Sequence, residues 1–243
     1  MKLYVAATGS QANAYVLSSD TGESLILDAG VPVRKALPGI PDLRKISGCL
    51  ITHEHLDHAR AWTGYAHRGI PVYASAGTQK AMTDPEAAQI KDVKPMQAVH
   101  IGRFCVMPFE TQHDAEEPLG FLIRYEPTGE TVLYATDTYY LKYTFPGINY
   151  WIVECNYCED MIDASEMNDY HIRRLNQSHM NLRRLKNALQ ANDLTETAKI
   201  ILIHLSDSRS DEKRMVGEIE SLTGIETVAA LGGMHIELSR TPF

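Results

Sequence analysis

Apolar positions along the chain fall into short runs, roughly four to eight residues long, closed by Gly, Pro or Asp, the pattern of buried strands ended by turns. The runs predict strands near 2–7, 13–18, 23–28, 46–52, 70–74, 103–109, 119–126, 131–136, 150–154, 199–204, 226–230 and 234–239. Helices are expected at about 57–68, 75–83, 179–191 and 210–222, and in the third of these Leu182, Leu185 and Leu189 form an apolar stripe at helical spacing. Strands alternate with helices without internal repeats or low-complexity tracts, which predicts an α/β protein.

The strand expected at 46–52 runs into Ile51-Thr52-His53-Glu54-His55-Leu56-Asp57-His58, where three imidazoles and two carboxylates crowd into six residues. Imidazole and carboxylate suit a borderline divalent ion such as zinc, and an H-x-H-x-D-H spacing can serve two ions. His53 and His55, two apart in an extended segment, point the same way. Asp57 and His58 follow where the chain turns into a helix and can reach the other side of the same pocket. Uncompensated, these groups would repel or desolvate one another, and a bound cation resolves both problems. A histidine-rich surface turn is the competing explanation, and four potential ligands at this spacing disfavour it.

The T-H-x-H-x-D-H run resembles the signature of the metallo-β-lactamase-fold hydrolases. That resemblance implies further ligands at separate strand ends, and His113, Asp137 and His204 stand in order, each after a strand-like stretch. It implies His53, His55 and His113 around one ion, Asp57, His58 and His204 around a second, and Asp137 between them. It also implies a four-layer αββα sandwich, with several strands ending at one edge. Gly9-Ser10-Gln11-Ala12-Asn13-Ala14-Tyr15, Leu27-Asp28-Ala29-Gly30, His113-Asp114-Ala115, Glu154-Cys155-Asn156, Ser178-His179-Met180-Asn181 and His204-Leu205-Ser206 together are similar to the WalJ/YycJ-like proteins, exonucleases related to tRNase Z. Tyr157-Cys158 departs from the His-Asp that follows Glu-x-Asn in those relatives, and Met180 replaces their usual Leu; neither change touches a ligand.

In tRNase Z-like enzymes a glutamate after a late strand and a histidine at the start of a later helix cooperate in proton transfer. Glu154 and His179 match, with His179 as proton donor to the leaving oxygen and Glu154 fixing its tautomer. The alternative is a helix-capping Ser178 followed by a surface histidine. Asp57, Glu154 and His179 are therefore the candidate catalytic residues, Asp57 doubling as a ligand. Two ions about 3.5–4 Å apart, zinc or alternatively manganese, can hold a hydroxide between them as nucleophile near neutral pH. Phosphodiester hydrolysis is the expected reaction, in a nuclease acting on DNA ends. A small-molecule hydrolase such as a cyclic-nucleotide phosphodiesterase is the alternative, and a non-catalytic binding module a distant third. Asp28 reads either as a carboxylate orienting the metal loop or as a turn former before Gly30.

A chain of 243 residues with 44% hydrophobic content fits one domain over 1–243. No apolar run approaches about 18 residues and the amino terminus reads as a strand, so a cytoplasmic protein without membrane attachment is expected, with a homodimer possible. The net charge of −8 argues against a broad electropositive surface for nucleic acid. A local strip remains: His171, Arg173, Arg174, Arg183, Arg184 and Lys186, in or beside the polar stretch 158–181, could form a lid or phosphate-contacting edge, or a solvated helix face. His67, His100 and His235 match no motif and read as surface or satisfied structural residues. Cys49 and Cys105 read as buried thiols, and Cys155-x-x-Cys158 is a weak redox or zinc signal.

Overall fold

Most strand residues are apolar on both faces, so each sheet has to be covered twice. The computed structural model, which describes residues 1–82, 90–162 and 169–240, meets this demand with two seven-stranded sheets face to face and helices outside them. The first sheet holds β1 (Lys2–Ala7), β2 (Ala14–Ser18) and β3 (Ser24–Leu27) as an antiparallel meander. From β3 it continues in parallel through β4 (Ile46–Leu50), β5 (Val72–Ala74) and β6 (Lys91–Asp92). The second repeats the scheme: β7 (Val99–Ile101), β8 (Phe104–Glu110), β9 (Leu119–Tyr125) and β10 (Glu130–Ala135) are antiparallel. Beside β10 lie β11 (Tyr150–Glu154), β12 (Lys199–Ile203) and β13 (Thr227–Ala229), all parallel to it. The last strand, β14 (His235–Glu237), returns to pair with β1.

Between the sheets, Leu3, Tyr15, Leu17 and Leu27 of the first interlock with Phe104, Phe121, Ile123, Tyr134, Ile152 and Ile201 of the second. Each such side chain contributes about 1.5–3 kcal/mol on burial. The outer face of the first sheet is covered by α1 (Val33–Ala36), α2 (Leu56–Ala59), α3 (Trp62–Ala66) and α4 (Ala76–Ala81). After α5 (Asp169–Ser178), α6 (Leu182–Gln190) and α7 (Glu212–Thr223) cover the second. Asn181 starts α6 by accepting the Arg184 N–H at 2.8 Å, and Leu182, Leu185 and Leu189 turn inward as the stripe predicts. The αββα sandwich is thereby realised. Among the described residues no helix is long and apolar enough to cross a membrane.

Several boundaries differ from the sequence expectation. The helix expected at 57–68 divides into α2 and α3, because the Ala29 loop takes over the backbone between them: Ala29 N–H donates to the His58 carbonyl and Ala61 N–H to that of Ala29. The helix expected at 179–191 begins only at Leu182, so His179 sits in the break between α5 and α6 rather than at a helix start, and the cap is Asn181, not Ser178. No apolar stripe announces α5, because the face it turns inward, His171, Arg174, Leu175 and Ser178, lines a cavity instead of the core. The two-residue β6 and three-residue β7 are too short for a pattern. Cys105 is half-buried rather than buried. Thr83, the end of the expected helix 75–83, and residues 163–168 of the polar stretch lie outside the described residues.

Strand direction positions the site. The ends of β1, β3 and β4 emerge at the same edge as those of β8, β10, β11 and β12. Hydrogen bonds tie the sheets together there, among them Tyr134 hydroxyl to Asp28 Oδ2 at 2.6 Å, His204 N–H to Thr8 Oγ1 at 3.0 Å, and Leu119 N–H to the Thr52 carbonyl at 2.9 Å. Gly30 packs against this edge with no room to spare: a Cβ there would stand 1.9 Å from the Asp57 carbonyl and 2.7 Å from both N and O of Asn13. These neighbours are backbone atoms that cannot step aside. Gly30→Ala is expected to destabilise the protein by about 3 kcal/mol, the upper end of ordinary overpacking, lowering the urea midpoint. A midpoint equal to that of the parent would show that the loop yields freely.

Candidate metal centre

Seven residues expected as ligands come from five elements and loops of the chain, and the fold brings all seven together. The segment after β4 carries His53 and His55, α2 carries Asp57 and His58, and the loops after β8, β10 and β12 carry His113, Asp137 and His204. Two sets form: His53, His55, His113 and Asp137 in one, and Asp57, His58, Asp137 and His204 in the other, with ligand atoms in each within 4.8 Å of one another. Asp137 belongs to both. Its Oδ2 lies 3.4 Å from Nε2 of His113 and of His58 and 3.7 Å from that of His53, while its Oδ1 lies 3.4 Å from Nε2 of His204. Asp57 Oδ2 is 3.3 Å from His58 Nε2 and 3.6 Å from His204 Nε2.

The backbone bends sharply to deliver these groups. Asp28, Asp137 and His204 have φ of 60°, 44° and 55°, a left-handed conformation unusual for residues with a side chain. Each such position costs on the order of 1–3 kcal/mol and persists only where the surroundings enforce it. All three follow buried strands that supply that enforcement.

A ring of partners around the cluster fixes its imidazoles. Asp28, fully buried, accepts Thr52 N–H at 2.8 Å and Thr52 Oγ1–H at 2.9 Å on one oxygen, and the Tyr134 hydroxyl on the other. That second oxygen also meets His58 Nδ1 at 2.8 Å, so His58 donates through Nδ1 and turns the Nε2 lone pair to the cluster. Asp28 is thus both the turn residue and the orienting group. His113 Nδ1 donates to the Ser178 carbonyl at 2.9 Å. Asn13, quoted above only as part of a motif, proves to be structural to the site: its amide nitrogen reaches the Gly9 carbonyl at 3.0 Å, Asp57 Oδ2 at 3.3 Å and His58 Nε2 at 3.0 Å.

The arrangement fits divalent cations. Among the described residues Nε2 of His53 and of His204 is buried with no hydrogen-bond partner, a costly state for a buried nitrogen unless a cation meets it. The electrostatics agree. Burial pushes His53 and His113 down, so both favour the neutral, ligating form. For His58 and His204 burial acts in the same direction, but the carboxylates of Asp137 and its neighbours outweigh it; His58 is raised and His204 is pushed up to about 10. Burial opposes ionisation of Asp137 and Asp57 too, yet the surrounding imidazoles hold both carboxyls well below the usual range. A field that draws protons this strongly onto imidazoles is the field a divalent cation would meet.

Glu154 and His179 sit against the second set. Glu154, at the end of β11 and fully buried, has Oε1 2.6 Å from His179 Nδ1 and 3.4 Å from His204 Nδ1, while its Oε2 accepts the Thr138 and Met180 N–H groups at 2.9 and 3.2 Å. Burial alone would raise Glu154, and the two imidazoles reverse the sign. Burial would lower His179, and Glu154 raises it instead. With Nδ1 committed to Glu154, Nε2 is the nitrogen left to exchange a proton. His179 lines a cavity of about 570 Å³ together with His55, Asp57, His113, Asp137 and His204. Of the basic strip, His171 and Arg174 line the same cavity, whereas Arg183 pairs with Glu159 and Lys186 with Glu218. Arg209 and Ser10 also line it; no motif or periodicity singled out Arg209, which lies in a short polar loop. His100 bonds Glu126 and His235 lies against Tyr4, away from the cluster, and among the described residues no group of potential metal ligands includes a cysteine.

Removing Asp28 should test the orienting role. Asp28→Ala is expected to weaken zinc binding about 10–100-fold, read by chelator competition, and to destabilise the metal-free protein by about 3–5 kcal/mol because His58 loses its buried partner. Unchanged zinc affinity would remove Asp28 from the site.

Comparison with known proteins agrees with this geometry. Residues 20–205 match a model described as the Beta-lactamase superfamily domain. The exodeoxyribonuclease YycJ of Bacillus anthracis is 29% identical over 177 residues, covering 65% of this chain and 64% of that protein, so the match spans somewhat less than two thirds of the relative's length. Among solved structures, the metallo-β-lactamase fold protein YhfI from Bacillus subtilis superposes with a TM-score of 0.74 at 19% identity, covering 96% of this chain and 98% of that one. The Zn²⁺-bound PqqB from Methylobacterium extorquens gives 0.71 at 14% identity, covering 98% and 100%. At such low identities these two structures speak for the fold alone. Since the family model spans most of the chain and the two packed sheets carry the expected His/Asp cluster at one edge, this protein belongs to the β-lactamase superfamily and has the metallo-β-lactamase fold.

Proposed function

We propose that the protein, as one catalytic domain, is a binuclear metal-dependent phosphodiesterase acting as a DNA exonuclease. The observation that carries this reading is the position of Asp137, whose two oxygens face two ligand sets at once. His53, His55 and His113 would hold one cation and Asp57, His58 and His204 the other, with zinc the best match to this donor set and manganese compatible with it. Such a pair supplies Lewis acidity toward a phosphoryl oxygen and lowers the pKa of water. Similarity to the YycJ exodeoxyribonuclease supports a nucleic-acid substrate over other phosphodiesters.

The protein's own groups supply the rest. Asp28 and the Ser178 carbonyl hold the His58 and His113 imidazoles in register through their Nδ1 atoms, so little reorganisation is left for the reaction itself. His179 is set to give a proton through Nε2 to the departing oxygen. Its Nδ1–H is fixed on Glu154 at 2.6 Å, and that carboxylate stabilises the imidazolium. The Thr138 and Met180 N–H groups hold the other Glu154 oxygen in place.

Release of nucleotides from end-labelled duplex DNA, with zinc or manganese, is the direct test. The wild-type protein is expected to release them and Asp137→Ala to release none; no release by wild-type protein carrying both ions would rule out the nuclease. His179→Ala is expected to lower kcat about 10²–10⁴-fold, the range for a lost general acid. The pH profile gives a further check whose sign is fixed by the Glu154 contact. An acid must be protonated to act, so the rate falls as pH rises through the raised pKa of His179. Glu154→Gln removes the main cause of that rise, and the alkaline limb is expected to move to lower pH; a limb that stays in place would assign the proton to another group.

A further inference from the structure

Besides imidazoles and carboxylates, the cavity is lined by two guanidinium groups the proposed chemistry does not use. On α5, Arg174 shares a face with His171, Leu175 and Ser178, and all four line the cavity. Arg174 is held by its Nε, which donates to Asp114 Oδ2 at 2.9 Å, while Asp114 Oδ1 accepts the Ser178 hydroxyl at 3.1 Å. Its two terminal nitrogens are left outside that contact. Arg209 enters from the loop between β12 and α7, where its carbonyl accepts the Cys158 N–H at 2.9 Å. Its side chain lines the cavity, the residue is half-buried, and among the described residues no carboxylate or carbonyl meets its guanidinium. Arg44, Arg183, Arg214 and Arg240, by contrast, all have oxygen partners.

A guanidinium withdrawn partly from water with no partner among the described residues loses solvation it does not recover, and a second guanidinium lining the same cavity adds like charge. An anion reaching both relieves each cost. Guanidinium forks match phosphate oxygens in particular, as paired donors in one plane. The phosphate undergoing attack would already be engaged at the cluster, so a substrate with a single phosphate leaves these two groups unanswered. We infer that Arg209 and Arg174 form a subsite for a second phosphate, the one adjoining the scissile linkage, and that the substrate is a phosphodiester chain rather than a cyclic mononucleotide. The subsite rests on the phosphodiesterase reading above. It also gives an acidic protein a local means of holding a polyanion.

The test is a cycle between Arg209 and the neighbouring phosphate. Hydrolysis of a thymidine pentanucleotide is compared with that of the same chain carrying a neutral methylphosphonate next to the terminal linkage, in wild-type protein, Arg209→Gln and Arg209→Lys. In the wild type the methylphosphonate is expected to raise KM about 10–100-fold, the range for a lost charge-assisted hydrogen bond. Arg209→Gln is expected to raise KM for the native chain by a similar factor and then to lose little more with the methylphosphonate, and Arg209→Lys to keep part of the discrimination. Anisotropy of the dye-labelled native chain, read in EDTA before any turnover, is expected to show the same weakening in Arg209→Gln. Losses that multiply independently, alongside wild-type turnover of bis(p-nitrophenyl) phosphate, would overturn the subsite and leave the phosphodiesterase reading standing. No wild-type turnover of any of these diesters would overturn both.

Discussion

The Asp28 carboxylate is the contact on which the site depends, because it joins the two sheets at the edge where their loops meet. It lies fully buried at the end of β3, and its four partners come from both halves of the sandwich: Thr52, twice, and His58 on the first sheet's side, and Tyr134 from β10 of the second. A carboxylate in such a place is tolerable only when both oxygens are answered. The demand is reciprocal: answering them fixes the loop after β4, the ring of His58 and the separation of the sheets at this point. Asp137 lies two residues beyond Ala135, the end of the strand that carries Tyr134, so the same bond that anchors Asp28 also locates the carboxylate common to both candidate sets.

Backbone strain and core packing are linked through the same edge. Asp28, Asp137 and His204 adopt left-handed conformations just after strands whose residues are almost all buried. A less rigid strand end would relax such a turn and swing its side chain away. Here the interlocked apolar layer resists relaxation, since moving one strand means moving the side chains wedged between its neighbours. Burial energy gathered over many residues is thereby spent on holding a few groups in unfavourable backbone positions, where they face one another across a short distance.

Much of this was readable in the sequence because the candidate ligands carry a strong local signal. The His53 to His58 run announces chemistry by residue type and spacing, and His113, Asp137 and His204 each follow an apolar stretch that reads as a strand. The apolar stripe of α6 was visible for the same reason, being a face that meets a core. What stayed hidden was structure whose pattern is set by something other than a core. The helix α5 turns His171, Arg174 and Ser178 toward a cavity, so its inward face is polar and no stripe betrays it. The break that places His179 between two helices follows from the Asn181 cap, and a Ser at 178 offered an equally good cap on sequence alone. Asn13 lay in a recognisable motif, yet its contacts with Asp57 and His58 span 44 and 45 residues and leave no periodic trace.

Glu154 adds a coupling that residue types alone would not suggest. One of its oxygens stands 2.6 Å from His179 and 3.4 Å from His204, so a single carboxylate faces both the proposed proton donor and a member of the second ligand set. The rings of those two histidines stack at 5.3 Å and 12°, too close for both to carry positive charge cheaply. Glu154 is the anion both imidazoles depend on, and its shorter contact, with Nδ1 of His179, favours holding the proton there. The end of a single strand thus places one buried anion between the second ligand set and the imidazole that faces the cavity.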